Sequence, residues 1–146
     1  MEADTYHHLT YDLTIAAATA MLAASPQMTF CYVSGEGTDS TERGRLMWAR
    51  VKGKTENALL RMPFKASYML RPGFIQPLKG VKSKTPLYQG VYNVLGWIYP
   101  VLHGLLPRYT TTTVALGRAL IRLATVGDAQ RVLSTADINR VASLSG

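Results

Sequence analysis

The sequence predicts an α/β fold built on a doubly wound parallel sheet, and three observations carry that prediction. Apolar residues recur at helical spacing from Leu9 to Ala24, a nearly unbroken apolar and aromatic run occupies residues 28–34, and a helical stripe ending at Pro63 leads into a second strand at residues 66–71. Helices alternating with strands through short links is the pattern of helices laid on both faces of a mostly parallel sheet.

Each element has its own signals. Leu9, Leu13, Ala16, Ala17, Ala20, Met21 and Ala24 share one face of a helix that Ser25-Pro26 should stop. Residues 28–34, Met-Thr-Phe-Cys-Tyr-Val-Ser, read as a strand buried on both faces, as parallel strands are. Gly35 to Ser40 is a loop by composition, and Asp39 followed by Glu42 resembles a capping box opening the next helix. In that helix Met47, Val51, Thr55, Ala58 and Met62 form one stripe, with Trp48 and Lys52 one turn apart beside it. A strand from Ala66 to Arg71 ends at Arg71-Pro72-Gly73.

Beyond Gly73 the pattern is less regular. Lys79 to Lys84 is a basic loop, and residues 87–106 form an uncharged aromatic stretch in which Tyr88, Val91, Tyr92, Leu95, Tyr99 and Leu102 fit one helical face. Thr110 to Thr113 can cap a helix over residues 114–126, and Arg131-Val132-Leu133 is extended ahead of a helix start at Ser134 to Ile138. The chain thus divides into a sheet-forming portion, residues 1–73, and a mainly helical region, residues 74–146.

Length and composition bound the function. With 146 residues, 47% hydrophobic and 17% charged, the chain suits one compact domain and not a disordered one. A single cysteine, Cys31, excludes a disulfide framework and reads as a small buried hydrophobe. His7, His8 and His103 lack partners at metal-ligand spacing, so no metal site is predicted. The acidic Met-Glu-Ala-Asp start has no basic leader region, which favours the cytoplasm.

The net charge of +7 is unevenly spread: six acids and no Lys or Arg in residues 1–42, eleven bases against Glu56 in 43–84, and five bases against two acids in 85–146. Lys79, Lys82 and Lys84 lack interleaved stacking aromatics, so they read as a solvated loop rather than a nucleic-acid surface. The aromatic stretch at 87–106, flanked by Lys82, Lys84 and Arg108, is a candidate for membrane-surface attachment or protein binding.

Three motifs in order carry a resemblance: Tyr32-Val33-Ser34-Gly35 at a strand end, Trp48-Ala-Arg-Val-Lys52 on the next helix, and Arg71-Pro72-Gly73 ending the next strand. Together they resemble the C-terminal half of the extended or atypical short-chain dehydrogenase/reductase superfamily, the NAD(P)-dependent epimerase-like oxidoreductases. The resemblance runs from about Thr10 to Ile138 and implies a Rossmann-like sheet followed by substrate-side helices. It implies NAD or NADP as cofactor and a small-molecule substrate. Ser34 would hydrogen-bond the substrate oxygen, Lys52 would hold the nicotinamide ribose, and Arg71, Pro72 and Gly73 would form the turn near the nicotinamide.

Two departures set the expectation. Trp48 stands where the family has its catalytic Tyr, and an indole N–H donates without titrating in a useful range. The family's strand, Gly-rich turn and helix, which bind the cofactor pyrophosphate, have no counterpart here, and Gly35-Glu36-Gly37 follows the wrong strand. The reading is therefore a truncated or remnant oxidoreductase that is inactive alone, completed by an N-terminal half or by a second copy of the chain.

Overall fold

A computed structural model describes residues 2–76 and 109–144. The basic loop and the aromatic stretch of residues 87–106 lie outside the described residues. Helices α1 (Ala3–His7) and α2 (Leu13–Ala24) are joined without a break by a π-helical turn, His8–Asp12. Then come β1 (Thr29–Val33), α3 (Met47–Arg61), β2 (Ala66–Arg71), β3 (Phe74–Gln76), β4 (Thr110–Thr112), α4 (Thr113–Thr125), β5 (Val132–Ser134) and α5 (Thr135–Ser143).

The α/β prediction holds. Strands β1, β2 and β5 form a parallel sheet in that order, with Thr29 opposite Ala66 and Leu70 opposite Leu133. Helices cover both faces because β2 alternates its side chains. Tyr68 and Leu70 enter one core with Ala119 and Leu123 of α4, Leu133, and Ile138, Val141 and Ala142 of α5. Met69 enters the opposite core with Ala18 of α2, Leu59 of α3 and Phe64. There the rings of Phe30 and Phe64 stack with centroids 5.0 Å apart. Each fully buried Leu or Met here contributes about 1.5–3 kcal/mol.

Several expected details change. The first helix begins at Ala3, ahead of Leu9, and stops at Ala24 as Ser25-Pro26 demands. Strand β1 is half-buried to exposed along its length. The reading of a strand buried on both faces fails because β1, like β5, is an edge strand of the sheet among the described residues. The Asp39–Glu42 capping box is not formed. Asp39 instead accepts the Thr41 N–H at 2.9 Å and the Gly44 N–H at 2.6 Å, closing a turn in which Glu42 sits at φ 61°, and α3 begins later with no side-chain cap at Leu46.

The buried stripe of α3 also shifts. Ala49, Val51, Gly53, Thr55, Glu56 and Leu59 are buried, whereas Met47, Ala58 and Met62 are half-buried, because the loop before the helix packs on it as well as the sheet. Strand β2 matches its expected bounds, but the chain then forms β3, which pairs in parallel with β4 at Phe74–Thr110, Ile75–Thr111 and Gln76–Thr112. The threonine run therefore supplies a strand as well as a cap: Thr112 Oγ1 accepts the Ala115 N–H at 3.0 Å. Ser134 opens α5 through a full capping box with Asp137. No helix among the described residues is long and apolar enough to cross a membrane.

Candidate functional site

The carboxyl ends of parallel strands are where α/β sheets bind ligands, and the three motifs meet there. Ser34 directly follows β1, Arg71 ends β2, and α3 crosses between them. The Ser34 N–H donates to the Leu70 carbonyl at 2.8 Å and the Glu36 N–H to the Pro72 carbonyl at 3.0 Å, which ties the two strand ends together.

Lys52 reaches this point from α3. Its Nζ donates to the Ser34 backbone carbonyl at 2.8 Å. Burial pushes the ammonium below the ordinary lysine value, and the nearby Glu56 carboxylate opposes that shift. An ammonium has three N–H donors, so two remain for a bound molecule.

The Ser34 hydroxyl is turned elsewhere. Its Oγ–H donates to Glu56 Oε1 in a short contact, with the Leu70 carbonyl a second acceptor at 3.2 Å. A hydroxyl has one proton, so while Glu56 holds it, Ser34 offers a ligand lone pairs rather than a donor.

Glu56 is the residue that sequence reasoning missed. Its side chain is 1% exposed and pairs with the Arg71 guanidinium, whose Nε lies 3.1 Å from both carboxylate oxygens and whose terminal nitrogen contacts Oε2 more closely. Arg71 also donates to Ser40 Oγ at 2.6 Å. Its charge is thus spent on the protein's own carboxylate. Two signals pointed to Glu56: it is the lone acid of residues 43–84, and it sits one helical turn after Lys52.

Trp48 lies one turn before Lys52, half-buried, with its six-membered ring against the backbone at Gly37. Pro72 is buried. Gly73 is required where it stands: a Cβ there would come within 2.5 Å of the Tyr109 carbonyl, and its N–H donates to Thr135 Oγ1 at 2.8 Å. The structure therefore brings Ser34, Lys52 and Arg71 together around Glu56, with Trp48 one turn before Lys52 and Pro72-Gly73 directly after Arg71.

Among the described glycines Gly53 makes the closest approach. A Cβ on it would sit 1.8 Å from the Asp39 carbonyl oxygen, and the Asp39 N–H donates to the Ala49 carbonyl at 3.1 Å, so the loop lies directly on α3. Tyr32, two residues before Ser34, has its phenol pushed up to about 12 by burial, with Tyr6 and Glu56 adding to the shift and a Thr55 hydrogen bond opposing it. Cys31 is partly buried, and burial pushes its thiol up.

Lys52 has donors free for a ribose. A pyrophosphate, however, needs unoccupied backbone N–H groups at a helix start. The starts of α4 and α5 are capped by Thr112 and by Ser134 with Asp137, whereas α3 starts with no side-chain cap at Leu46. In the loop before α3 the Gly44 N–H is bound to the Asp39 carboxylate, which hydrogen bonds from Thr41 and Gly44 hold below its usual range. His7 and His8 each face Asp12 on the N-terminal helical run, and among the described residues no group of three His, Cys, Asp or Glu is placed to hold a metal ion.

No protein-family model matches the chain. It is similar to "Botcinic acid biosynthesis cluster B protein 16" of Botryotinia fuckeliana (strain B05.10), 33% identical over 108 residues. That match takes in 66% of this chain and 66% of the relative, so the chain spans just under two thirds of the relative's length.

Proposed function

We propose that this chain is a remnant of an NAD(P)-dependent epimerase-like oxidoreductase that keeps the Ser34 and Lys52 positions and is inactive by itself. One observation carries the reading: Lys52 on α3 meets the Ser34 carbonyl at 2.8 Å at the carboxyl end of a parallel strand. Motifs far apart in sequence thereby meet at one strand end, which supports the reading.

Catalysis is weakened at two points. Trp48 cannot pass a proton, and general acid–base help is worth about 10²–10⁴-fold in rate. The Ser34 hydroxyl, spent on Glu56, does not donate to a substrate carbonyl. A cytoplasmic setting with an added N-terminal half or a second copy belongs to the same proposal.

The test is fluorescence titration of the purified chain with NADH and NADPH. No saturable binding in the micromolar range is expected. A low-micromolar dissociation constant for either would overturn the proposal.

A further inference from the structure

We propose that the amino end of the sheet, opposite the Lys52 site, binds a small organic carboxylate between Lys65, Ser67 and Arg131. Lys65 directly precedes β2 and Arg131 directly precedes β5, and these strands are parallel neighbours. Two cations therefore stand at one edge of the sheet. Both residues are exposed, and neither has a carboxylate partner among the described residues; Asp128, close to Arg131 in the chain, is paired with Arg140. The Arg131 guanidinium rests 4.8 Å over the Tyr68 ring. Beside these cations lies a hollow of about 190 Å³, to which Leu60, Met62 and Phe64 supply apolar wall and Lys65, Ser67 and Arg131 the polar side chains.

Ser67 is the residue that points to a ligand. It is 7% exposed, and its buried Oγ has no hydrogen-bond partner among the described residues. Buried polar groups are ordinarily paired, so this hydroxyl has capacity left for a molecule in the hollow and no existing bond to give up. The donors decide the ligand class. An ammonium and a guanidinium carry hydrogens and no lone pair, and the hydroxyl has a hydrogen to give. Together they suit an anion that only accepts, and an arginine fork matches the two oxygens of a carboxylate. The apolar wall adds the rest of the specificity, because a short hydrocarbon tail can leave water against Leu60, Met62 and Phe64, whereas inorganic phosphate has no such part. Ser34 and Lys52 lie at the carboxyl ends of the strands, so this site does not depend on the oxidoreductase reading.

Titration of the isotope-labelled full chain with hexanoate, followed by its amide resonances, tests the site. The amides of Lys65, Ser67 and Arg131 should move together and saturate, and hexanol and inorganic phosphate should each bind at least about tenfold more weakly, the first for want of charge and the second for want of a tail. Ser67→Ala should weaken hexanoate at least about fivefold without lowering the thermal midpoint, since it removes an unpaired buried hydroxyl. Lys65→Met and Arg131→Met should each weaken it about threefold, and Lys54→Met, beside the N-terminal helical run, should leave it unchanged. Absence of saturable shifts, binding of hexanol or phosphate as tight as that of hexanoate, a lowered midpoint or unchanged affinity in Ser67→Ala, or unchanged affinity in both cation variants would each overturn the proposal.

Discussion

Lys52 Nζ and the Ser34 carbonyl oxygen lie 2.8 Å apart, so the lysine is anchored by the main chain at the end of β1 while the serine side chain turns to Glu56. The geometry makes Glu56 the hub: it receives the Ser34 hydroxyl, pairs with Arg71, and sets the electrostatic field felt by Lys52 and Tyr32. Three predictions follow from this arrangement and from the loop that packs beside it.

Removing the Glu56 charge should move two groups in the same direction. Glu56 favours the cationic form of Lys52 and disfavours the phenolate of Tyr32, so Glu56→Gln should lower both titrations. Carbon-13 shifts of the lysine Cε atoms report the first, and absorbance near the phenolate band reports the second. In the unaltered chain the raised Tyr32 value contributes stability that is intact below about pH 10 and is lost as pH climbs toward about 12. Burial of Lys52 has the opposite sign, a cost present while the lysine is protonated and relieved at high pH.

Truncating one member of the buried ion pair should be severe. Glu56→Ala leaves Arg71, 20% exposed, facing a pocket without its counter-charge, and a broken buried pair costs about 3–5 kcal/mol. Denaturant unfolding should show a lower midpoint at unchanged slope. Replacing both residues together by Met and Leu should cost much less, since apolar partners of similar volume remove the stranded charge.

Two helical glycines should respond oppositely to the same change. Gly53→Ala drives a methyl into the Asp39 carbonyl oxygen, and relieving that overlap should cost at least about 1–3 kcal/mol. Gly117→Ala, on α4 with open space around its missing Cβ, should gain about 0.5–1 kcal/mol from helix propensity. Thermal melting of the two single variants decides the matter, and equal shifts would contradict the packing of the loop on α3.

Much of this fold was legible because its signals are local. Ser25-Pro26 stops a helix, Pro63 closes α3, and the apolar runs at β1 and β2 cannot be satisfied away from a sheet. What escaped detection depends on partners distant in the chain. The Thr110–Thr112 strand exists because β3 lies beside it, and nothing within four threonines distinguishes a strand from a cap. Asp39 looked like a helix cap by its spacing to Glu42, yet a glycine two residues past Glu42 gave its carboxylate a nearer donor. At the site, Ser34, Lys52 and Arg71 were readable by position, but the direction of the Ser34 hydroxyl was not, since it is decided by a carboxylate one helix away.

The Glu56–Arg71 pair also bears on how such a chain can change over generations. Loss of either residue alone strands a charge in the interior, so the two can be exchanged only together or through an intermediate that folds poorly. Selection for folding is then sufficient to keep Glu56, Arg71 and the hydroxyl they hold, whether or not any reaction is still under selection. A lineage that has stopped turning over substrate would preserve these residues for as long as it keeps the protein.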